Sequence, residues 1–171
     1  MKELKRDLFD CIFDPEVDAI CITTNGHYLR NGKALMGGGC AKVAADKWPA
    51  ISKKLGQMLK AFGKNIPYVI GALNDKGDYI EPNRNGIKNK EYKCLIFSFP
   101  TINNLINGAN IQLIKQSATI LKDYADQFEL NRIVCGRMGS GIGMLRWGDV
   151  KLEVENILDD RFIVVSFDHE E

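Results

Sequence analysis

The sequence predicts an α/β domain with helices layered on a sheet, and three observations carry that reading. Short β-type runs alternate with helical ones along the chain. Its 171 residues are enough to bury roughly two-thirds of the surface an unfolded chain exposes, so a self-sufficient core is expected. Two glycine-rich loops, Asn25-Gly26-His27…Gly32…Met36-Gly37-Gly38-Gly39-Cys40 and Cys135-Gly136-Arg137-Met138-Gly139-Ser140-Gly141-Ile142-Gly143, each follow a β-type run and lead into a helical pattern.

Taken in order, the β-type runs fall at residues 19–23, 68–73, 93–99, 132–135 and 162–167. Residues 34–59 hold one or two helices, divided near Trp48-Pro49 because proline disfavours helical geometry in the residue before it. The clearest helix spans about residues 110–128, where Ile111, Ile114, Ala118, Leu121, Ala125 and Phe128 recur at helical spacing. Another is expected over residues 147–158, with Val150, Val154 and Ile157 on one face and Asp149 in the first turn complementing the helix dipole. Residues 74–92 are turn-rich and read as a surface hairpin or a mobile flap. No repeat or linker interrupts the pattern, so one domain over residues 1–171 is expected.

Composition excludes several classes. Lys and Arg total 23 against 22 Asp and Glu, which gives no strong footprint for a nucleic-acid backbone. The longest apolar stretches, residues 19–22 and 95–99, are far too short for a bilayer, and no membrane partner is expected. Asp7, Asp10 and Asp14 break up the N-terminus, against a signal peptide. The five cysteines, at 11, 21, 40, 94 and 135, show no C-x-x-C pair and no zinc-type spacing with His27 or His169. Reduced thiols, a cytoplasmic location and no metal follow as expectations. Cys21, Cys94 and Cys135 lie in strand-like runs and read as small buried residues. Cys40 follows the triple glycine at a helix N-terminus, a position that lowers a thiol pKa, but no partner base is evident beside it.

Both glycine loops can offer bare backbone N–H groups to an anion. The phosphate loop of nucleotide triphosphatases needs Gly-Lys-Ser/Thr, and Gly32-Lys33-Ala34-Leu35-Met36-Gly37 runs on into Gly38-Gly39 without lysine or hydroxyl. The dinucleotide fingerprint opens the first half of a doubly wound sheet, whereas Gly139, Gly141 and Gly143 have the wrong spacing and lie near the C-terminus. Plain tight turns remain the alternative to a phosphate cradle.

The run Asp18-Ala19-Ile20-Cys21-Ile22-Thr23-Thr24-Asn25-Gly26, with Gly32…Met36-Gly37-Gly38-Gly39-Cys40-Ala41, resembles the first strand and first phosphate loop of macro domains, which bind ADP-ribose. Arg137-Met138-Gly139-Ser140-Gly141-Ile142-Gly143-Met144-Leu145-Arg146-Trp147 resembles their second loop. Arg6-Asp7-Leu8-Phe9 is similar to the family's Gly-Asp-Leu/Ile-Phe/Thr opening, with arginine for glycine. The resemblance implies a three-layer α/β/α sandwich with a mixed central sheet and no cofactor. It also implies that Asp7 accepts from the adenine amine and that Asn25 reaches the distal ribose. Gly37, Gly38, Gly39 and Cys40, with Ser140, Gly141, Ile142 and Gly143, would wrap the diphosphate and distal ribose, and Phe167 would stack on adenine unless that register falls on Ser166. Read from the residues alone, Asp7 is a surface carboxylate, Asn25-Gly26 a turn and Phe167 a core side chain.

Catalytic residues are where the resemblance thins. One hydrolytic branch places an aspartate two residues after its glycine run, where this chain has Ala41. Another, which removes ADP-ribose from side chains or bases, has a Phe-Pro-Thr-Lys pattern that reads here Phe99-Pro100-Thr101-Ile102, and an aspartate where this chain has Gly143. His27, two residues beyond Asn25, is the candidate general base, since imidazole suits that work near neutral pH. Asn31 and Thr101 are lesser candidates for orienting a water. Taken as a stand-alone domain, the chain is expected to hydrolyse at the distal ribose, as an ADP-ribose-1″-phosphate phosphatase or an ADP-ribosyl hydrolase acting on a modified macromolecule. The empty positions favour the alternative, a module that binds ADP-ribose or a related nucleotide without turnover.

Overall fold

The computed structural model describes residues 1–167. In chain order the elements are β1 (Lys2–Lys5), a 3-10 turn (Asp10–Phe13), β2 (Ala19–Thr24), α1 (Gly39–Lys47), α2 (Ala50–Phe62), β3 (Val69–Leu73) and β4 (Tyr79–Ile80). They continue with α3 (Arg84–Lys88), β5 (Cys94–Pro100), α4 (Ile111–Gln127), β6 (Ile133–Gly136), α5 (Trp147–Val154) and β7 (Phe162–Ser166). The strands form one sheet in the order β1-β7-β6-β2-β5-β3-β4. Neighbours from β1 to β5 run parallel, and β3 and β4 are antiparallel, so the sheet is mixed.

Alternation along β2 shows how the two cores arise, because successive strand side chains point to opposite faces. Ile20 and Ile22 join Ala44 of α1 and Ile51, Leu55 and Leu59 of α2 on one face. Ala19 and Cys21 join Ile114, Ala118 and Leu121 of α4 and Val150 and Val154 of α5 on the other. Helices therefore cover both faces, as the three-layer reading expects. All seven residues of β5 are buried, which is why that run is almost continuously apolar.

The differences from the sequence reading have local causes. β1 is Lys-Glu-Leu-Lys, an edge strand whose charges blunt its open side, and it carries no apolar signal. Glu3 on β1 accepts from Trp147 Nε1 at 2.6 Å and from Lys151 Nζ, tying that edge to the start of α5. α1 begins at Gly39, five residues later than expected. Ala34 and Met36 are buried but sit in the loop, where Ala34 bridges Tyr28, so their spacing imitates a helix. α5 ends at Val154, and Leu158 stays buried in the following turn. The expected hairpin forms between β3 and β4, with Asn74 Oδ1 accepting from the Lys76 and Asp78 N–H groups at 3.0 Å. Downstream the chain folds as the short α3, an element the turn signals concealed.

Cys11, Cys21, Cys94 and Cys135 are buried, and all five cysteines are unbridged. Burial pushes the Cys94 thiol up to about 12 and the Cys21 thiol well above its ordinary value, so these act as packing residues. Among the described residues no helix is long and apolar enough to cross a membrane, and no cluster of His, Cys, Asp and Glu could hold a metal. His169 lies outside the described residues.

Candidate functional site

The five parallel strands deliver their C-terminal ends to one edge of the sheet, and nearly every sequence-derived candidate lies in the loops there. β2 and β6 are neighbours, yet α1 and α5 leave them on opposite faces. Their loops must diverge, which opens a crevice at the point where ligands bind in open α/β sheets. A cavity of about 340 Å³ between Phe13, Trp48 and Gly77 lies at the opposite end of the sheet, away from these loops.

The two glycine loops converge across this crevice. A Cβ built on Gly38 would lie 2.6 Å from Ile142 Cδ1, and one on Gly39 3.5 Å from the same atom. Gly38 is also the N-cap of α1 and has no side chain to accept from the first turn. The first intrahelical bond is donated by Lys42 N to Gly38 O at 3.2 Å, so the amides of Gly39, Cys40 and Ala41 precede the helical ladder and are available to an anion. In the second loop, two residues before Ile142, the Ser140 hydroxyl oxygen is buried and has no hydrogen-bond partner. Cys40 Sγ lies 3.1 Å from Thr23 Oγ1, which tethers the thiol to the end of β2.

Asn25 is engaged within its own loop. Its Oδ1 accepts from His27 N at 3.0 Å, and its Nδ2 donates to Leu35 O at 3.2 Å. Each atom retains one further hydrogen-bonding position, because an amide offers two lone pairs and two hydrogens. His27 places Nε2 2.9 Å from the Asn103 carbonyl in the loop after β5. A carbonyl only accepts, so Nε2 carries a hydrogen. Asp7 closes a turn by accepting from Phe9 N through Oδ1 at 2.7 Å. Phe167 follows β7 and is exposed, so the core reading of this ring does not hold. Asn31 accepts from Lys33 N inside loop 25–38, and Thr101 is buried with its backbone tied to Thr24 and Asn110.

The three positions where hydrolytic branches carry charge have distinct surroundings. Ala41 is buried in the α1 core. Ile102 is half-buried, and its carbonyl accepts from Asn65 Nδ2 at 3.0 Å. Gly143 has no room for a side chain, since a Cβ there would lie 2.5 Å from Gly139 O and 2.7 Å from Ala109 Cβ. Its carbonyl accepts from Ala109 N at 3.1 Å, locking the second loop against the segment before α4.

Sequence reasoning missed Asn65 and Asn103. Asn65 precedes a strand and so falls outside a search of strand C-termini. β3 is antiparallel, and its beginning therefore meets the C-terminal end of β5. A lone asparagine two residues after a left-handed Gly63 cap carries no signal without that topology.

No known family model matches the sequence, and no curated protein matches it. Solved structures do match. Thermosipho africanus DarTG, solved in complex with ADP-ribose, superposes with a TM-score of 0.71 at 14% identity; the match covers 95% of this chain and 40% of that one, so this chain spans well under half of it. The macrodomain of Thermus aquaticus DarG gives a TM-score of 0.67 at 18% identity, covering 96% of this chain and 95% of that one. The Mycobacterium tuberculosis DarG macrodomain gives 0.67 at 17% identity with the same coverages. With seven strands in a mixed sheet, helices on both faces and these neighbours matching over nearly its whole length, the chain adopts the macrodomain fold.

Proposed function

We propose that the cleft between loops 25–40 and 137–146 binds ADP-ribose or a derivative, free or carried on a macromolecule. The observation that carries this reading is that the two loops, brought together at Gly38 and Ile142, each hold unspent donors: the uncapped start of α1 in one and the orphaned Ser140 hydroxyl in the other. An unsatisfied buried hydroxyl costs about 1–3 kcal/mol, and a phosphate oxygen would accept from it and from the α1 amides together. Gly37, Gly38, Gly39, Cys40, Ser140, Gly141, Ile142 and Gly143 would enclose the diphosphate. Asp7 would accept from the adenine amine, Phe167 would stack on the ring, and the spare amide positions of Asn25 would meet ribose hydroxyls. The ADP-ribose in the structurally similar Thermosipho protein supports the same ligand.

A second step, hydrolysis at the distal ribose, is favoured by the tautomer of His27. In the neutral ring, a hydrogen on Nε2 leaves the lone pair on Nδ1, which would take a proton from an attacking water. Asn25, hydrogen-bonded to the His27 backbone, would hold the ribose beside it. Ile102 and Gly143 would supply neither a lysine nor an acid to this base.

Calorimetric titration with ADP-ribose and ADP tests binding. Assays of phosphate release from ADP-ribose-1″-phosphate, and of ADP-ribose release from modified protein and nucleic acid, test turnover. Micromolar binding is expected. Binding with no release from any of these substrates would reduce the function to a non-catalytic module, and no binding of either nucleotide would remove the diphosphate assignment.

A further inference from the structure

We infer that Asn65 is a positioning residue for the distal half of the cleft, clamping the loops after β2 and β5 into one unit; the inference rests on the ADP-ribose reading above. The Asn65 amide spends both Nδ2 hydrogens on the loop after β5, one on Ile102 O and one on Asn103 Oδ1, each at 3.0 Å. The flat face of the same amide lies on Gly26. A Cβ at Gly26 would stand 2.3 Å from Asn65 Cγ, and Gly26 has φ +75°, so glycine is required here twice over. Asn65 Oδ1 is buried and without a hydrogen-bond partner, held where it is by the two donor bonds and the contact with Gly26.

A second link closes the ring. His27, next to Gly26, binds the Asn103 backbone through Nε2, and Asn25, before it, binds the His27 amide. Asn65, Asn103, His27 and Asn25 thus form a closed path that joins three segments, residues 25–27, 65 and 102–103. Both Nδ2 bonds of Asn65 and its contact with Gly26 fall on the loops after β5 and β2, at the distal side of the cleft. Its influence should therefore be confined to the part of the ligand beyond the diphosphate.

That confinement gives a readout a general folding role would not move. Asn65→Ala removes both donor bonds and should weaken ADP-ribose binding about tenfold, the worth of two ordinary hydrogen bonds, while ADP binding stays within about twofold. Asn103→Ala, at an exposed position, removes only the side-chain acceptor and should weaken ADP-ribose by about threefold to fivefold. Combined with Asn65→Ala it should add less than its separate effect, because both variants break the same bond. Without ligand, amide exchange at residues 26–27 and 102–104 should quicken in Asn65→Ala and stay unchanged at residues 139–145. Equal losses for ADP and ADP-ribose, no loss for either, or unaltered exchange at residues 26–27 and 102–104 would overturn the inference. Wild-type protein that binds neither nucleotide would instead overturn the ADP-ribose reading itself, and the exchange measurement would still decide whether Asn65 clamps the loops.

Discussion

Ile142 reaches across the crevice to Gly38, its Cδ1 lying 2.6 Å from where a Cβ on that glycine would stand. The two residues come from loops on neighbouring strands, β2 and β6, whose helices leave on opposite faces of the sheet. An exposed apolar side chain thereby spans the two walls, and the absence of a side chain on Gly38 lets it do so.

Gly38→Ala should therefore disturb binding more than folding. Gly38 has φ −152° and ψ 166°, extended backbone that alanine adopts without strain. The new methyl meets only the flexible end of Ile142, which must move aside and so reshape the crevice between the two loops. ADP-ribose affinity is expected to fall about tenfold with Tm unchanged, and adding Ile142→Ala should recover part of it. Calorimetry on the single and double variants checks this, and strictly additive losses would show that the two residues do not meet.

Gly143→Asp should fail to install the acid found in one hydrolytic branch. Its Cβ would press on the Gly139 carbonyl and on Ala109, and a backbone carbonyl cannot rotate out of the way. Overpacking of this kind costs about 3 kcal/mol. A fall of roughly 10 °C in Tm by differential scanning calorimetry is expected, with no gain of turnover.

The order of helices and strands was legible because α4 carries a strong helical period and β5 an almost unbroken apolar run, and the glycine loops because their spacing is rare. β1 was illegible since an edge strand with three charged residues has no apolar pattern to read. Ala34 and Met36 misled because buried loop residues obey no period. In the candidate site, Gly38, Ser140 and Ile142 were named from the sequence, but not that Ile142 meets Gly38. Asn65 was hidden because only the antiparallel course of β3 brings it to the edge where the parallel strands end. A contact made by topology leaves no trace in local spacing.

Glu3 should make the protein acid-sensitive through the edge of the sheet. Burial alone would raise its carboxyl pKa, but hydrogen bonds from Lys151 and Trp147 outweigh burial and hold it below the ordinary 4.5. A carboxyl lowered in the folded state adds stability above its unfolded value, and that stability is lost as pH falls through the folded value. Glu3→Gln should cost about 1 kcal/mol at pH 7. The gap to wild type should close below pH 4.5. Urea denaturation at several pH values measures it; a gap that persists undiminished in acid would mean that charge at Glu3 is not what matters.

His27 separates a loop tie from a base, and two substitutions pull these roles apart. His27→Ala removes both the ring and its bond to the Asn103 carbonyl, so the loops after β2 and β5 lose one of their links. ADP-ribose binding should weaken several-fold, and any turnover should vanish. His27→Gln can still donate an amide hydrogen to the Asn103 carbonyl but has no basic nitrogen. It should bind ADP-ribose within about threefold of wild type while hydrolysis falls by about 10²-fold or more, the usual contribution of a positioned general base. Release of ADP-ribose from a modified macromolecule and of phosphate from the 1″-phosphate, each followed under single turnover, gives the rates. Glutamine that hydrolyses as fast as histidine would leave His27 only its structural tie and hand the proton to another group in the cleft.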